Sequence, residues 1–251
     1  MIKKLLVIAV LLFAHQANAE VKITEITLQK GAFNVTGCDD SSQCVCEADI
    51  KYPALSGFID EAKQNNLNNT FKKVAEQAKC QGEPAPDSAR NENNFSIQHH
   101  YEITYQSPTL LAFKFSDWSF EGGAHGNGTL EGSIIDLVTG KPVSFKDLFA
   151  DKDLPEINES IYKALLPEAE GIFRDEVESR KASFIKDGVC TGCTAILDKN
   201  GLNIVFQTYE VAPFSVGNPS ITIPAKFINY PAVREAVTTQ IPAPVTATEN
   251  K

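Results

Sequence analysis

Histidine is scarce in this chain. There are four, and His15 falls in an N-terminal leader, which leaves His99, His100 and His125. No HExxH or comparable ligand spacing joins them. His99 and His100 are neighbours on a strand-like segment and so point to opposite faces, an arrangement poorly suited to one ion; no metal and no cofactor is expected. No Gly-x-Ser-x-Gly signature accompanies the histidines. The one glycine-rich loop lacks both Gly-Lys-Ser/Thr and a GxGxxG spacing, so neither phosphate-binding motif is present. Positive charge is also short: 23 Lys and Arg stand against 32 Asp and Glu, a formal net charge of −9. Nucleic acid and anionic lipid would repel such a surface, whereas a basic partner would be attracted. Beyond the leader no run is apolar enough to cross a bilayer, so no membrane span is expected.

The leader reads MIKKLLVIAVLLFAHQANAE. Lys3 and Lys4 precede an apolar run from Leu5 to Ala14, and Ala17-Asn18-Ala19 is a small-residue cleavage site. This pattern is a secretory signal peptide cut after Ala19, and its brevity points to a bacterial periplasmic or secreted protein. Loss of Lys3 and Lys4 lowers the basic count from 23 to 21 against 32 acids, giving −11. All six cysteines, Cys38, Cys44, Cys46, Cys80, Cys190 and Cys193, lie beyond the leader. Export and an even count argue for disulfides. Cys44 and Cys46 are two apart and share a strand face, so they should take different partners from Cys38 and Cys80; which takes which is open. Cys190 and Cys193 are expected to pair with each other as a stapled turn. Their C-x-x-C spacing also fits a redox pair, but the thioredoxin context of a strand followed by a helix is missing.

The order of elements suggests an α+β fold, with helices packed on a largely antiparallel sheet. Residues 21–35 read as one or two strands, and CVCEADIKYP as another that ends at Pro53. Phe58, Ala62, Leu67, Phe71, Val74 and Ala78 recur at helical spacing. They predict a helix over about 57–79 with Ser56 as N-cap. Residues 81–94 read as an exposed loop. Phe95 to Tyr105 alternates as a strand, and residues 110–120 form its partner. There Phe113 and Phe115 are odd while Trp118 and Phe120 are even, so a bulge is expected near Ser116-Asp117. Residues 129–137 are a strand, 138–141 a turn, and 142–145 a short strand, with Ser144 placed to cap a helical turn. Residues 155–186 read as helical with a break at Pro167. Asn200-Gly201 marks a hairpin, residues 213–217 a loop and 220–228 a last strand or strand plus turn. The tail after Ile241 is expected to be disordered.

The stretch EGGAHGNG, Glu121 to Gly128, follows the aromatic run FKFSDWSF. Its glycines suit a sharp corner that needs positive φ, with the imidazole of His125 bonded to backbone groups. A general base would require an orienting partner, and none is evident in the pattern. Glu210 and the loop Pro213-Phe214-Ser215-Val216-Gly217 form a second candidate. An aromatic between proline and glycine can anchor a partner, or can close the core. Trp118 and Phe120 could form a sugar platform, although strand positions of this kind more often serve the core.

The chain resembles a family of secreted domains found in the extracellular part of the anti-sigma factor RsiV and beside the catalytic domain of the peptidoglycan deacetylase PdaC. The resemblance is carried, in order, by YPALSGFIDEAKQNNLNNTF at Tyr52 to Phe71, GGAH at Gly122 to His125, IIDLVTGKPVSFKDLF at Ile134 to Phe149 and YEVAPFSVG at Tyr209 to Gly217. It covers most of residues 45–230. Gly126 stands where proline is common in that family, and Phe214 where tyrosine is frequent; the cysteine cluster is an addition. The resemblance implies two adjacent sub-domains after the signal peptide (1–19): an N-terminal piece, 20–128, and a C-terminal RsiV-like piece, 129–240, followed by the tail, 241–251. It further implies an exported envelope binding protein rather than an enzyme. The binding residues would be Gly123, His125, Glu210, Pro213 and Phe214, and the partner lysozyme, another basic protein or peptidoglycan fragments. The alternative is a cell-wall hydrolase using His125 with a carboxylate such as Glu121 or Glu210.

Overall fold

A computed structural model of the protein describes residues 21–35, 44–85, 95–167, 172–179, 181 and 192–240. The leader, the tail, Cys38 and Cys190 lie outside them. The fold is α+β, with a seven-stranded mixed sheet, a second sheet of three strands, and helices. The large sheet has the order β3-β1-β2-β4-β5-β6-β7. Its strands are β1 (Lys22–Val35), β2 (Cys44–Ser56), β3 (Gly82–Pro84), β4 (Phe95–Gln106), β5 (Leu110–Phe120), β6 (Asn127–Asp136) and β7 (Lys141–Pro142). All neighbours are antiparallel except β2 and β4, which run parallel from Cys46↔Phe95 to Ile50↔His99. The small sheet has the order β10-β9-β8, from β8 (Thr194–Asp198), β9 (Gly201–Val205) and β10 (Ser220–Ile223).

Helix α1 (Glu61–Gln77) covers one face of the large sheet. Leu67 and Phe71 pack on Leu55, Leu111, Phe113 and Phe115, and Ala75 meets Cys46, Ala48 and Ile50. Phe113 and Ile50 are fully buried; burial of such a side chain contributes about 1.5–3 kcal/mol. The expected stripe holds at Leu67 and Phe71, but Ala62 and Val74 are exposed and Ala75 takes the buried position instead; the helix also begins later. Ser56 is still in β2, paired with Lys22, and Asp60 is the N-cap, accepting from Lys63 N at 3.1 Å. Asn68 reaches back from α1 to bond both backbone groups of Leu55, at 2.7 and 2.9 Å. It satisfies the edge of β2 where β4 no longer does.

Pro53 does not end β2. It pairs with Glu25 on the β1 side, and β4 pairs only as far as Ile50, so no ladder bond on the other side needs its missing N–H. The start of the 81–94 stretch is likewise strand: Gly82–Pro84 pairs with Val35–Phe33.

The opposite face of the large sheet carries the second core. Leu110, Ala112 and Ile134 pack against the small sheet, α3 (Leu154–Leu165), α4 (Ile172–Ser179) and α5 (Pro231–Gln240). The two sheets meet closely at Gly132, whose N–H donates to Thr194 Oγ1 at 2.8 Å. A Cβ there would lie 1.9 Å from Ala195 O. Helix α2 (Phe145–Leu148) is capped as expected: Ser144 N and Oγ both donate to Asp147 Oδ2, at 3.0 and 2.6 Å. The bulge lies elsewhere than expected. β5 keeps an unbroken register with β6, and the shift falls in β4 between Ile103 and Tyr105. Phe113 and Phe115 face α1, while Trp118 belongs to the other face; each face is apolar over a different stretch, which mimics a slip in parity.

Cys80 bonds to Cys46 across 34 positions, tying the end of α1 to β2. Cys193 is also disulfide-bonded. No helix of the described residues is long and apolar enough to cross a membrane.

Candidate binding face around His125

The chain leaves β5 at Phe120 and re-enters the sheet at Asn127. Between them Gly122 and Gly123 take φ of +95° and +97°, a region that L side chains adopt at a cost. The corner turns back over Trp118. A Cβ on Gly126 would lie 2.3 Å from Trp118 Cζ2 and 2.7 Å from Ser119 O, so only glycine lets the loop lie against the indole. His125 is thereby presented at the surface, next to a buried residue.

A second loop comes up beside it from the end of β9. Gln207 stitches the two together: its Oε1 accepts from Leu130 N at 3.0 Å, and its Nε2 donates to Leu130 O at 2.8 Å. Glu210 closes the turn. Its carboxylate accepts from Gly192 N and from Gln207 N, both at 2.9 Å. Tyr209, between them, has φ +67°, a conformation costing about 1 kcal/mol or more for a tyrosine. That backbone turns its side chain outward, toward His125.

His125 joins the loops. Its Nδ1 lies 2.9 Å from Gly126 O and its Nε2 3.0 Å from the Tyr209 hydroxyl. A carbonyl only accepts, so Nδ1 is the donor; Nε2 then accepts from Tyr209. The imidazole lies on the Phe214 ring at 4.1 Å between centroids and 20° between planes. Phe214 opens a 3₁₀ turn (Phe214–Val216) after Pro213, and both are half-buried. Gly123 is exposed at the corner.

Both nitrogens of His125 are therefore engaged, and both oxygens of Glu210 hold backbone N–H groups. The arrangement presents rings rather than a free base beside a carboxylate. Tyr209 is 49 % exposed and Trp118 36 %, with Val216 at 38 %, an apolar surface with aromatic rings of the kind that anchors partners. His125 and Phe214 thus come together, and Glu210 and Pro213 support the loop behind them. No sequence pattern marks Tyr209 or Gln207 as a site residue. Tyr209 stands inside the motif YEVAPFSVG, but its bond to a residue 84 positions away leaves no spacing signal.

His99 and His100 point to opposite faces of β4, as expected. His99 is buried on the α1 side, with Nδ1 2.6 Å from Asp117 Oδ1 and its ring stacked on Phe115. His100 Nε2 lies 3.1 Å from Asp49 Oδ2 on the other.

Two family models match the chain. The one described as Deacetylase PdaC matches residues 40–128, and the one described as Protein of unknown function (DUF3298) matches residues 146–226. A search of the curated proteins finds no match. Among solved structures, a DUF3298 family member from Bacteroides fragilis superposes with a TM-score of 0.59 at 15% identity, covering 89% of this chain and 100% of that one. A DUF3298 family protein from Pseudomonas aeruginosa gives 0.52 at 18% identity, covering 86% and 98%. At these identities the likeness shows the fold. The chain is thus similar to the PdaC model in its first half and to the DUF3298 model in its second, the two regions in which its ordered motifs lie.

Proposed function

We propose that this protein is exported after cleavage at Ala19 and recognises a basic envelope partner of the lysozyme class without covalent chemistry. The observation that carries this reading is the ring cluster of His125, Tyr209 and Phe214, held outward by two loops that are themselves pinned by Gln207 and Glu210. Rigid aromatic anchors lose little entropy on binding. The resemblance to the extracellular domain of RsiV, which implies lysozyme as partner, and the acid excess of 32 over 21 beyond the leader both support a basic partner. Such charge speeds encounter more than it tightens the complex.

The test is a titration of the oxidised protein with C-type lysozyme at low and moderate salt, with peptidoglycan fragments in a parallel series. Saturable lysozyme binding that weakens with salt, and that falls about tenfold or more in Phe214→Ala, is expected. No lysozyme binding at micromolar concentration would remove the reading, and unchanged affinity in Phe214→Ala would remove the assigned face.

A further inference from the structure

A groove of about 490 Å³ lies between the two sheets, away from the ring cluster. Its volume is in the range of small-molecule sites. The floor is the face of β4, β5 and β6 opposite α1, and the wall is the small sheet with Asn218 at its rim. The bulge in β4 shapes the floor. Consecutive strand residues normally face opposite ways, yet Ile103 and Thr104 both line the groove, because the register shifts between Ile103 and Tyr105. Bulges of this kind re-aim side chains at sites.

Charge in the groove is balanced and divided between its sides. Glu102 and Lys114 form an ion pair on the floor. Asp198 and Lys199 stand on the hairpin of the wall. Asp198 Oδ1 is taken by Asn200 N at 2.7 Å, whereas Lys199 forms no ion pair among the described residues. Between the charged positions lie apolar groups, Leu130 and Val205, and polar ones. Thr104 Oγ1 is buried with no hydrogen-bond partner among the described residues. Asn218 donates Nδ2 to Phe206 O at 2.9 Å, which leaves its amide oxygen as an acceptor. A polyanion or a polycation would find as much repulsion as attraction here. A ligand with one charge of each sign at its ends, amides between them and small apolar side chains matches the balanced charge, the Asn218 acceptor and the apolar groups.

We infer that the inter-sheet groove binds a short zwitterionic peptide, its carboxylate on Lys199 and its ammonium on Glu102 Oε1, the oxygen that Lys114 does not take. This goes beyond the partner reading above and does not use Phe214.

The test uses trialanine as probe, with amide-resolved NMR of the oxidised protein. Saturable shifts confined to β4, the β8–β9 hairpin and Asn218 are expected. The acetylated, amidated trialanine should bind at least about tenfold more weakly, because a lost charge-assisted bond is worth about that. Lys199→Ala should weaken trialanine by a similar factor. Ser220→Phe, at an exposed position on the groove wall, should abolish binding with circular dichroism unchanged. Phe214→Ala should leave the shifts unaltered. Absence of shifts, equal binding of the capped peptide, unaltered binding in folded Ser220→Phe, or shifts centred on Trp118 and Tyr209 would each overturn the proposal.

Discussion

The Tyr209 hydroxyl lies 3.0 Å from His125 Nε2 while His125 lies flat on Phe214. Tyr209 meets this position from a left-handed backbone. Replacing it by glycine relieves that strain but removes the ring and the bond. The two effects oppose each other in stability, since an exposed hydrogen bond and the backbone cost are each about 1 kcal/mol. Tyr209→Gly should therefore unfold within about 1 kcal/mol of the parent in urea, yet lose partner affinity about tenfold. A large stability loss with intact affinity would make Tyr209 a structural residue only.

Gly126 and Trp118 give a second, purely local test. Even the methyl of Gly126→Ala would meet the indole and Ser119 O. The loop must lift from the tryptophan, at a cost of about 1–3 kcal/mol. Trp118 is the one tryptophan of the chain, so its fluorescence reports this site alone. A red-shifted emission and a lower urea midpoint are expected; an unchanged spectrum would mean that the corner does not rest on Trp118 in solution.

Removal of the Cys46–Cys80 bond should cost about 2–4 kcal/mol, the usual worth of such a cross-link. The double substitution Cys46→Ala with Cys80→Ala isolates it from the other cysteines. Equilibrium unfolding of that variant, compared with the oxidised parent, measures the loss directly.

Tyr230 and Asp136 set an alkaline limit. Asp136 is buried, its Oδ1 accepts from Val138 N and Thr139 N at 2.8 and 2.9 Å, and its Oδ2 accepts the Tyr230 hydroxyl. Burial, and then the bond to Asp136, push the Tyr230 phenol up to about 12 from 10.0. The folded value exceeds the unfolded one, so this contribution is whole below pH 10 and is lost as pH rises toward 12. Melting temperatures across that interval should fall more steeply for the parent than for Tyr230→Phe. At neutral pH Tyr230→Phe should itself cost about 1–3 kcal/mol, by leaving a buried carboxylate oxygen short of a donor. Parallel pH curves for the two proteins would contradict the linkage.

Local patterns carried the elements whose cause is local. Leu67 and Phe71 sit at helical spacing, Ser144 caps its turn, and Asn200-Gly201 joins two strands. Local pattern leaves the first turn of α1 open because Ser56 is as good a cap as Asp60; only the pairing of Ser56 with Lys22 decides between them. Helix α5 is only faintly marked, although Val233, Ala236 and Val237 share a face and Pro231 suits a helix start; the segment is short and follows another proline-bearing strand end. Pro53 misled because its tolerance depends on where β4 stops pairing. At the ring cluster, Phe214 and His125 were each legible as candidates, but their contact, and the part played by Tyr209, arise from two loops brought together by Gln207.

Cys46 occupies a node in this architecture. It pairs with Phe33 in β1 and with Phe95 in β4, and is bonded to Cys80 beyond α1. The parallel ladder joins two strands separated in sequence by the whole helix, the kind of non-local pairing that slows folding. Oxidation at Cys46 shortens that chain path, as Cys80 lies between the two ladder strands in sequence, and so lowers the entropy of closing it. Completion of the large sheet is thereby coupled to the redox state of the compartment. A chain still reduced is expected to complete the ladder more slowly, leaving strand edges open to other chains for longer.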